Sequence, residues 1–174
     1  MDIKSIFLDR DGVINHDKNY LHKIDQFEFI EGIFEACRQF NKLGYELIIV
    51  TNQSGISRGY YSEKDFQKLT HWMLDQFNNQ DINILDIFHC PHNDESFCNC
   101  RKPKPGMFLN AKAKHCVDMK KSWMIGDKET DIIAANSAGI KKTILLNSNY
   151  KNHKHSNASF IIDSILDSKT LIQC

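Results

Sequence analysis

The sequence lacks net charge, because 22 lysine and arginine residues balance 22 aspartate and glutamate residues. A neutral chain gives no electrostatic reason to expect binding to nucleic acid or to an anionic membrane. The sequence also lacks a long apolar run near its start, which reads Met-Asp-Ile-Lys-Ser. We therefore expect neither a signal peptide nor a membrane span, and we expect a cytoplasmic protein.

Internal repeats and linkers are absent as well. The 174 residues fit one domain, which we predict to span 1–174. Apolar residues make up 41% of the chain, enough for a hydrophobic core at this size. No segment is typical of an oligomer interface, so we expect a monomer.

Short apolar runs alternate with amphipathic segments along the chain. Strands are predicted at 3–8, 47–50, 84–88, 123–125, 143–146 and 160–162. Helices are predicted to end near Gly44, to begin at Ser62, to cover 106–116 and 130–138, and to begin near Asp163. The polar stretch 147–157 is predicted to be a solvated loop. This alternation indicates an α/β fold with a doubly wound, mostly parallel sheet.

Residues directly after the predicted strands are the candidates for function. In open α/β sheets, ligands bind outside the carboxyl ends of the strands. Asp9 and Asp11 follow the first strand, Thr51 follows the second, and Asp127 follows the fourth. A cysteine-rich loop follows the third strand. The periodicity therefore predicts a site at this edge of the sheet.

Asp9, Asp11 and Asp127 supply carboxylate oxygens, the ligands that suit Mg²⁺ together with water and substrate phosphate. An acidic loop that only caps nearby amides is the alternative. The position of Asp9 and Asp11 directly after a buried strand favours a functional role.

The segment 51–54 carries groups suited to phosphate. Thr51, Asn52, Gln53 and Ser54 offer hydroxyl, amide and backbone donors, although an ordinary polar turn would contain the same residue types.

Cations cluster beside two prolines in the segment 101–106. There Lys102 would place positive charge near a phosphoryl group, although a basic surface loop is the alternative. Asp131 either caps the helix that follows Asp127 or, as we predict, contacts Lys102 and holds it in position.

The remaining cluster contains Cys90, His92, Cys98 and Cys100. Cytoplasmic cysteines stay reduced, so a cluster of them indicates a metal site rather than disulfides. Three thiols and one imidazole form a common structural Zn²⁺ set, and four protein ligands leave no open position for catalysis. We prefer His92 to His89 because Cys-x-His mirrors Cys-x-Cys.

The other cysteines were assigned separately. Cys37 and Cys116 are predicted to be core residues on apolar helix faces, and the terminal Cys174 is uninformative.

Taken together, these segments resemble the haloacid dehalogenase (HAD) superfamily of phosphatases over nearly the whole chain. The resemblance implies a Rossmann-like core with Asp9 as nucleophile and Asp11 as general acid and then base. It implies that Thr51 and Lys102 stabilise the transferred phosphoryl group. It also implies Mg²⁺ held by Asp9, Asp127 and the main-chain carbonyl of Asp11.

The gaps between the motifs predict no large cap domain. The chain between Asp11 and Thr51 is too short for a cap domain. Between Ser54 and Arg101, a helix, a strand and the loop that carries the Cys₃His cluster (the zinc loop) occupy most of the chain. We therefore expect an open site, closed only by loops and suited to a small soluble substrate.

Within this superfamily, the zinc loop is similar to the branch that holds heptose-bisphosphate phosphatases and histidinol-phosphatases. The segments 51–59, 126–128 and 17–29 resemble the heptose enzymes. This resemblance implies hydrolysis of the C7 phosphate of D-glycero-D-manno-heptose 1,7-bisphosphate. It also implies that Arg101 and Lys128 bind the other phosphate of the sugar. The implied substrate-binding residues are Asp17, Tyr20, Asn52, Gln53, Ser54, Arg58, Arg101 and Lys128.

Two alternatives remain open. One is a phosphatase for histidinol phosphate or another small metabolite, and the other is a non-catalytic phosphosugar-binding module.

Overall fold

Apolar residues alternate between two faces of a parallel sheet, and each face carries helices. The computed structural model describes residues 2–147 and 156–173. The strands are β1 (Ser5–Leu8), β2 (Glu46–Asn52), β3 (Ile84–Cys90), β4 (Trp123–Gly126), β5 (Lys142–Leu146) and β6 (Phe160–Ile162). The helices are α1 (Ile33–Lys42), α2 (Glu63–Asn78), α3 (Gly106–His115), α4 (Glu129–Ser137) and α5 (Ser168–Leu171), with 3₁₀ turns at Ile24–Gln26 and Ile165–Asp167.

The two-residue period of the strands divides the core into two layers. Ile6 and Leu8 of β1 pack into the layer that contains the buried faces of α1 and α2. Phe7, between them, faces the opposite layer, which includes Phe108 of α3 and Ala134 of α4. Because both faces are covered, the middle of each central strand is a continuous apolar run, at 6–8 in β1, 47–50 in β2 and 123–125 in β4.

The strand order β3-β2-β1-β4-β5-β6 positions the site, and all neighbouring strands pair in parallel. The chain moves outward from β1 to β3 and then crosses back to β4 on the other side of β1. The carboxyl ends of β1 and β4 therefore flank the point where the winding direction changes, which is the usual place for a ligand crevice.

Local signals explain where the helices begin and end. Ser62 and Asp65 form a reciprocal capping box at the start of α2, in which the Ser62 hydroxyl accepts from the Asp65 amide. Before α1, Gly32 has a φ of 83°, and a Cβ there would lie 2.5 Å from Leu166 Cγ. Only glycine permits both the left-handed backbone and that close approach.

Strand β3 forms one edge of the sheet and is half-buried over most of its length. Its Asp86 side chain accepts a hydrogen bond from the Ile87 amide through Oδ1 at 2.8 Å. Through Oδ2 it contacts Lys114 Nζ at 2.8 Å and His115 Nε2 at 2.7 Å.

The predicted doubly wound parallel sheet without a large cap is confirmed. Two details were wrong. Strand β2 continues through Thr51 and Asn52, so these residues end the strand rather than follow it. The last helix does not begin near Asp163, because a 3₁₀ turn precedes α5.

Of the two core predictions for cysteines outside the cluster, one is confirmed and one is wrong. Cys37 is buried in α1 as predicted, whereas Cys116 is exposed, contrary to the prediction. Helix α3 ends at His115, and Cys116 has a left-handed backbone that turns its side chain away from the core. The single-domain assignment stays a prediction, and most of the predicted loop 147–157, like Cys174, lies outside the described residues. None of the helices in the described ranges has the length and hydrophobicity needed to cross a bilayer.

Candidate active site

Asp9, Lys102 and Asp131 form a buried ion-paired group at the carboxyl ends of β1 and β4. Lys102 Nζ lies 3.0 Å from Asp9 Oδ1 and 2.6 Å from Asp131 Oδ1, and it donates to the carbonyl oxygen of Val50 at 2.8 Å. Burial alone would lower the pKa of Lys102, but the charges of Asp131 and Asp9 hold it above its ordinary value. The lysine is therefore a fixed cation beside Asp9.

Asn52 fixes the main chain of Lys102. Its Nδ2 donates to the Lys102 carbonyl oxygen and its Oδ1 accepts from the Lys102 amide, both at 3.1 Å. The end of β2 thereby holds a loop residue fifty positions further along the chain, and both polar atoms of the Asn52 amide are used in doing so.

Asp131 makes two contacts, one with Lys102 and one with the main chain at the start of α4. One carboxylate oxygen pairs with Lys102, and the other accepts from the Lys128 amide at 3.1 Å at the start of α4. Gly126 permits this position, because a Cβ there would lie 2.4 Å from Asp131 Cβ.

The donor set fits a divalent cation. Single oxygens of Asp9, Asp127 and Asp131 lie within 4.8 Å of one another. Burial raises the pKa of Asp9 to about 8 against the opposing charge of Lys102, and burial raises the pKa of Asp127 to about 6. A divalent cation here would favour the ionised forms of Asp9 and Asp127, which burial disfavours.

Gly12 allows Asp127 to come close to the loop that follows β1. A Cβ on Gly12, whose φ is 90°, would lie 2.3 Å from Asp127 Oδ2. The absent side chain lets the Asp127 carboxylate approach the main chain of the loop that contains Asp11. Mg²⁺ usually takes few protein oxygens and keeps waters, so two carboxylates and a nearby carbonyl suit it.

Three neighbouring side chains donate hydrogen bonds to Asp11. Arg10 Nη2 reaches both carboxylate oxygens at 3.0 and 2.9 Å, Asn15 Nδ2 reaches Oδ1 at 3.0 Å, and Gln53 Nε2 reaches Oδ2 at 3.1 Å. Arg10 also donates to the carbonyl oxygen of Leu21 at 2.9 Å. The Asp11 carboxylate is thus fixed in direction.

A cavity of about 400 Å³ opens over this group. Among the predicted residues, its lining contains Asp9, Asp11, Asp17, Tyr20, Asn52, Gln53, Ser54, Arg101, Lys102 and Asp131, together with Lys128. Thr51 and Asp127 are buried close to this group. Arg58 is outside the lining and contacts Asp94, a lining residue, at 3.5 Å.

Cations on the rim of the cavity pair with acids. Lys128 Nζ lies 3.1 Å from Asp17 Oδ2, and Arg101 Nε donates to Asp94 Oδ1 at 2.7 Å. Burial would lower the pKa of Lys128, but Asp127 and Asp17 hold it above its ordinary value. Partly exposed pairs of this kind contribute little to stability, so an incoming anion can replace the acid partner at small cost.

The predicted Cys₃His residues come together behind the rim. Cys90 Sγ lies 3.8 Å from Cys98 Sγ and 3.5 Å from His92 Nδ1, and His92 Nδ1 lies 3.3 Å from Cys100 Sγ. Tetrahedral zinc with Zn–S bonds of about 2.3 Å places sulfur ligands about 3.8 Å apart. Cys100 Sγ and Cys90 Sγ, at 3.0 Å, are closer than that. The cluster could hold a metal ion.

The competing imidazole has other partners. His89 Nε2 lies 2.8 Å from Glu63 Oε1, and the ring packs against Phe66 at 4.3 Å between centroids. His89 is therefore not part of the cysteine cluster, which contains His92.

Several residues near the site were missed by the sequence reasoning. Arg10 is 2% exposed although it is charged, and its place between Asp9 and Asp11 was an available signal. Asn15, Tyr61 and Asp94 gave none, because each depends on a loop fold that periodicity does not describe.

Comparison with known proteins gives consistent results. A family model described as HAD-hydrolase-like matches residues 99–168. The chain is 54% identical to D-glycero-alpha-D-manno-heptose-1,7-bisphosphate 7-phosphatase of Campylobacter jejuni over 87% of each protein. It is 43% identical to the D-glycero-beta-D-manno-heptose-1,7-bisphosphate 7-phosphatase of Pasteurella multocida, covering 98% of this chain and 97% of the relative.

A solved structure extends this likeness to three dimensions. The D,D-heptose 1,7-bisphosphate phosphatase from B. bronchiseptica, complexed with magnesium and phosphate, aligns with a TM-score of 0.85 and 25% identity over 97% of both chains. Together with the two relatives, it carries the assignment. The chain belongs to the D-glycero-D-manno-heptose-1,7-bisphosphate 7-phosphatase family of HAD-like hydrolases.

Proposed function

We propose that this protein hydrolyses the C7 phosphate of D-glycero-D-manno-heptose 1,7-bisphosphate through a phosphorylated Asp9. The observation that supports this most directly is the placement of Asp9 on the cavity wall, 3.0 Å from the Lys102 ammonium. A carboxylate attacks a phosphate dianion only where fixed positive charge offsets their repulsion, and Lys102 is such a charge.

The reaction divides into two displacements. In the first, an Asp9 oxygen bonds to phosphorus, the bond from phosphorus to the sugar oxygen breaks, and protonated Asp11 gives its proton to that oxygen. In the second, Asp11 takes a proton from water as the water oxygen bonds to phosphorus. The bond to Asp9 then breaks, which releases inorganic phosphate and restores the carboxylate.

Two other residues support these steps. Thr51 and Lys102 lie at the end of β2 and on the zinc loop, and their hydroxyl and ammonium groups would bind the oxygens of the transferred phosphoryl group. Mg²⁺, held by Asp9, Asp127 and the Asp11 carbonyl, would supply the remaining charge screening.

The rim cations support a substrate with two phosphates. Arg101 and Lys128 line the cavity but neither contacts Asp9, so both are available to a second anionic group. Asp17, Tyr20, Asn52, Gln53 and Ser54 line the same space, and Arg58 would act through Asp94. Such a site favours a bisphosphate over a monophosphate that carries its own positive charge.

The substrate assignment has a direct test. We expect kcat/KM for heptose 1,7-bisphosphate to exceed that for histidinol phosphate by about 100-fold, because charged hydrogen bonds to the second phosphate are lost with the latter. Both anomers should be assayed, with phosphate release as the readout. A preference for histidinol phosphate would overturn the substrate but not the mechanism. An absence of hydrolysis of any phosphate ester would favour a binding module.

We propose that Cys90, His92, Cys98 and Cys100 hold a structural Zn²⁺. The donor set supports this, because neutral imidazole and thiolates are zinc's preferred ligands. Desolvation alone would raise the pKa of Cys98, but hydrogen bonds with the Arg101 amide and the Cys100 side chain hold it below its ordinary value. The ion would fix the loop that carries Arg101 and Lys102.

Metal analysis tests this second proposal. We expect about one zinc per chain, and we expect Cys98→Ser to lower zinc content, reduce kcat and lower the Tm by roughly 5 °C or more. Cys116→Ser, at an exposed cysteine outside the cluster, is the matched control and should behave like the parent. Little zinc in well-folded parent protein, or an unchanged Tm in Cys98→Ser, would contradict it.

A further inference from the structure

Gln53 connects the proton-transfer residue to the phosphate-binding hydroxyl. Its Nε2 donates to Asp11 Oδ2 at 3.1 Å and to Thr51 Oγ1 at 2.8 Å. Its Oε1 accepts from the Tyr61 hydroxyl at 2.5 Å. The side chain is 2% exposed, so these three contacts determine its orientation.

The chemistry of the partners fixes which way the Gln53 amide faces. Between the two proposed displacements Asp11 is an ionised carboxylate, which only accepts hydrogen bonds, so in that state the amide atom facing Asp11 must be the nitrogen. The oxygen then faces Tyr61, which must donate. Burial raises the pKa of Tyr61 to about 12, so its phenol keeps the proton that this bond needs.

The same orientation determines how Thr51 can act. Its hydroxyl oxygen accepts from Gln53, which leaves the single O–H hydrogen of Thr51 available for another acceptor. If the Gln53 amide rotated by half a turn, its oxygen would face the Asp11 carboxylate. That arrangement is repulsive, and it would draw the Thr51 proton toward the amide and away from a phosphoryl oxygen.

The surroundings hold Tyr61 in place. A Cβ on Gly55 would lie 2.1 Å from Tyr61 Cε1, so the absent side chain makes room for the ring. The Tyr61 ring also stacks on the His22 ring, with 5.0 Å between the ring centroids and an interplanar angle of 12°. The hydroxyl is therefore presented to Gln53 by a ring that is only 7% exposed.

We propose that Tyr61 is a positioning residue, whose hydroxyl locks the Gln53 amide and thereby orients Asp11 and Thr51 for phosphoryl transfer. This inference rests on the proposed function for the roles of Asp11 and Thr51, but the contact between Tyr61 and Gln53 does not. A variant that removes only the Tyr61 hydroxyl tests this inference separately from the proposed function.

Tyr61→Phe keeps the ring, its stacking on His22 and its fit against Gly55. We expect kcat to fall about tenfold with KM within about twofold of the parent, because a buried acceptor loses its donor. The assay would use heptose 1,7-bisphosphate and p-nitrophenyl phosphate. The matched control is Tyr45→Phe, at a tyrosine that is 5% exposed and packs in the core below α1. It should retain the parent kcat and KM.

A spectroscopic arm does not depend on turnover. The side-chain amide resonances of Gln53, identified by their loss in Gln53→Met, should shift in ¹⁵N-labelled Tyr61→Phe and not in Tyr45→Phe. Unchanged resonances, or an unchanged kcat in Tyr61→Phe, would overturn the proposal. A lower Tm with normal kcat would reduce Tyr61 to a packing residue, which also overturns it. A parent that hydrolyses neither ester would overturn the proposed function, while the resonances still decide whether Tyr61 holds Gln53.

Discussion

Asp9→Asn is expected to lower kcat by more than about 10³-fold, because an amide cannot form the acyl phosphate. Parent protein quenched in acid during turnover should contain covalently bound phosphate, and the variant should contain none. Asparagine has the shape of aspartate, and the neutral side chain removes a charge that burial disfavours. The variant should therefore stay folded, with a Tm close to that of the parent.

A carboxylate far from the site provides the control for this change. Asp86→Asn alters an acid that also pairs with a cation, Lys114, at the edge strand β3. We expect its kcat to stay within about twofold of the parent. Bound phosphate that persists in Asp9→Asn would assign the nucleophile to another residue.

Lys102→Met is expected to affect both activity and stability. Removing the ammonium withdraws charge from the transferred phosphoryl group, and we expect kcat to fall by about 10²- to 10³-fold. It also leaves Asp9 and Asp131 buried without their cation, which costs about 3–5 kcal/mol. Phosphate release and urea unfolding measure the two effects.

Two further variants separate these effects. Lys112→Met, at an exposed lysine of α3, should leave both measurements close to those of the parent. Adding Asp131→Asn to Lys102→Met should recover part of the lost stability, since one stranded charge disappears, without recovering turnover. If urea unfolding of Lys102→Met matched that of the parent, the buried ion pairs of Lys102 would contribute little to the free energy of unfolding.

The main outline of the fold was predictable from periodicity. Apolar runs of strand length, separated by helical ones, specify a parallel sheet, and a parallel sheet brings its carboxyl ends together. Asp9 and Asp127 are 118 positions apart yet meet for that reason alone. The strand order was not predictable in the same way, so the edge position of β3 and its partial exposure were missed.

Contacts within the site depended on information that the sequence pattern does not contain. Asn52 was predicted to bind phosphate, yet its amide holds the main chain of Lys102. Tyr61 is one of five tyrosines, and nothing in its neighbours distinguishes it. Both roles depend on side-chain directions fixed by loops that close only in the folded chain. The exposed Cys116 has a simpler cause, because it lies one residue past the end of α3 with a left-handed backbone instead of in the last helical turn.

The edge strand β3 has a consequence for self-association. Exposed strand edges present free amides to which another chain can add a strand, and this is a common route to aggregation. Asp86 already occupies the Ile87 amide with its own carboxylate, and its other oxygen attracts Lys114 and His115. A second sheet docking there would have to break that local bond and dehydrate the charges around it. The Asp86 side chain thus disfavours the addition of a further strand at the β3 edge of the sheet.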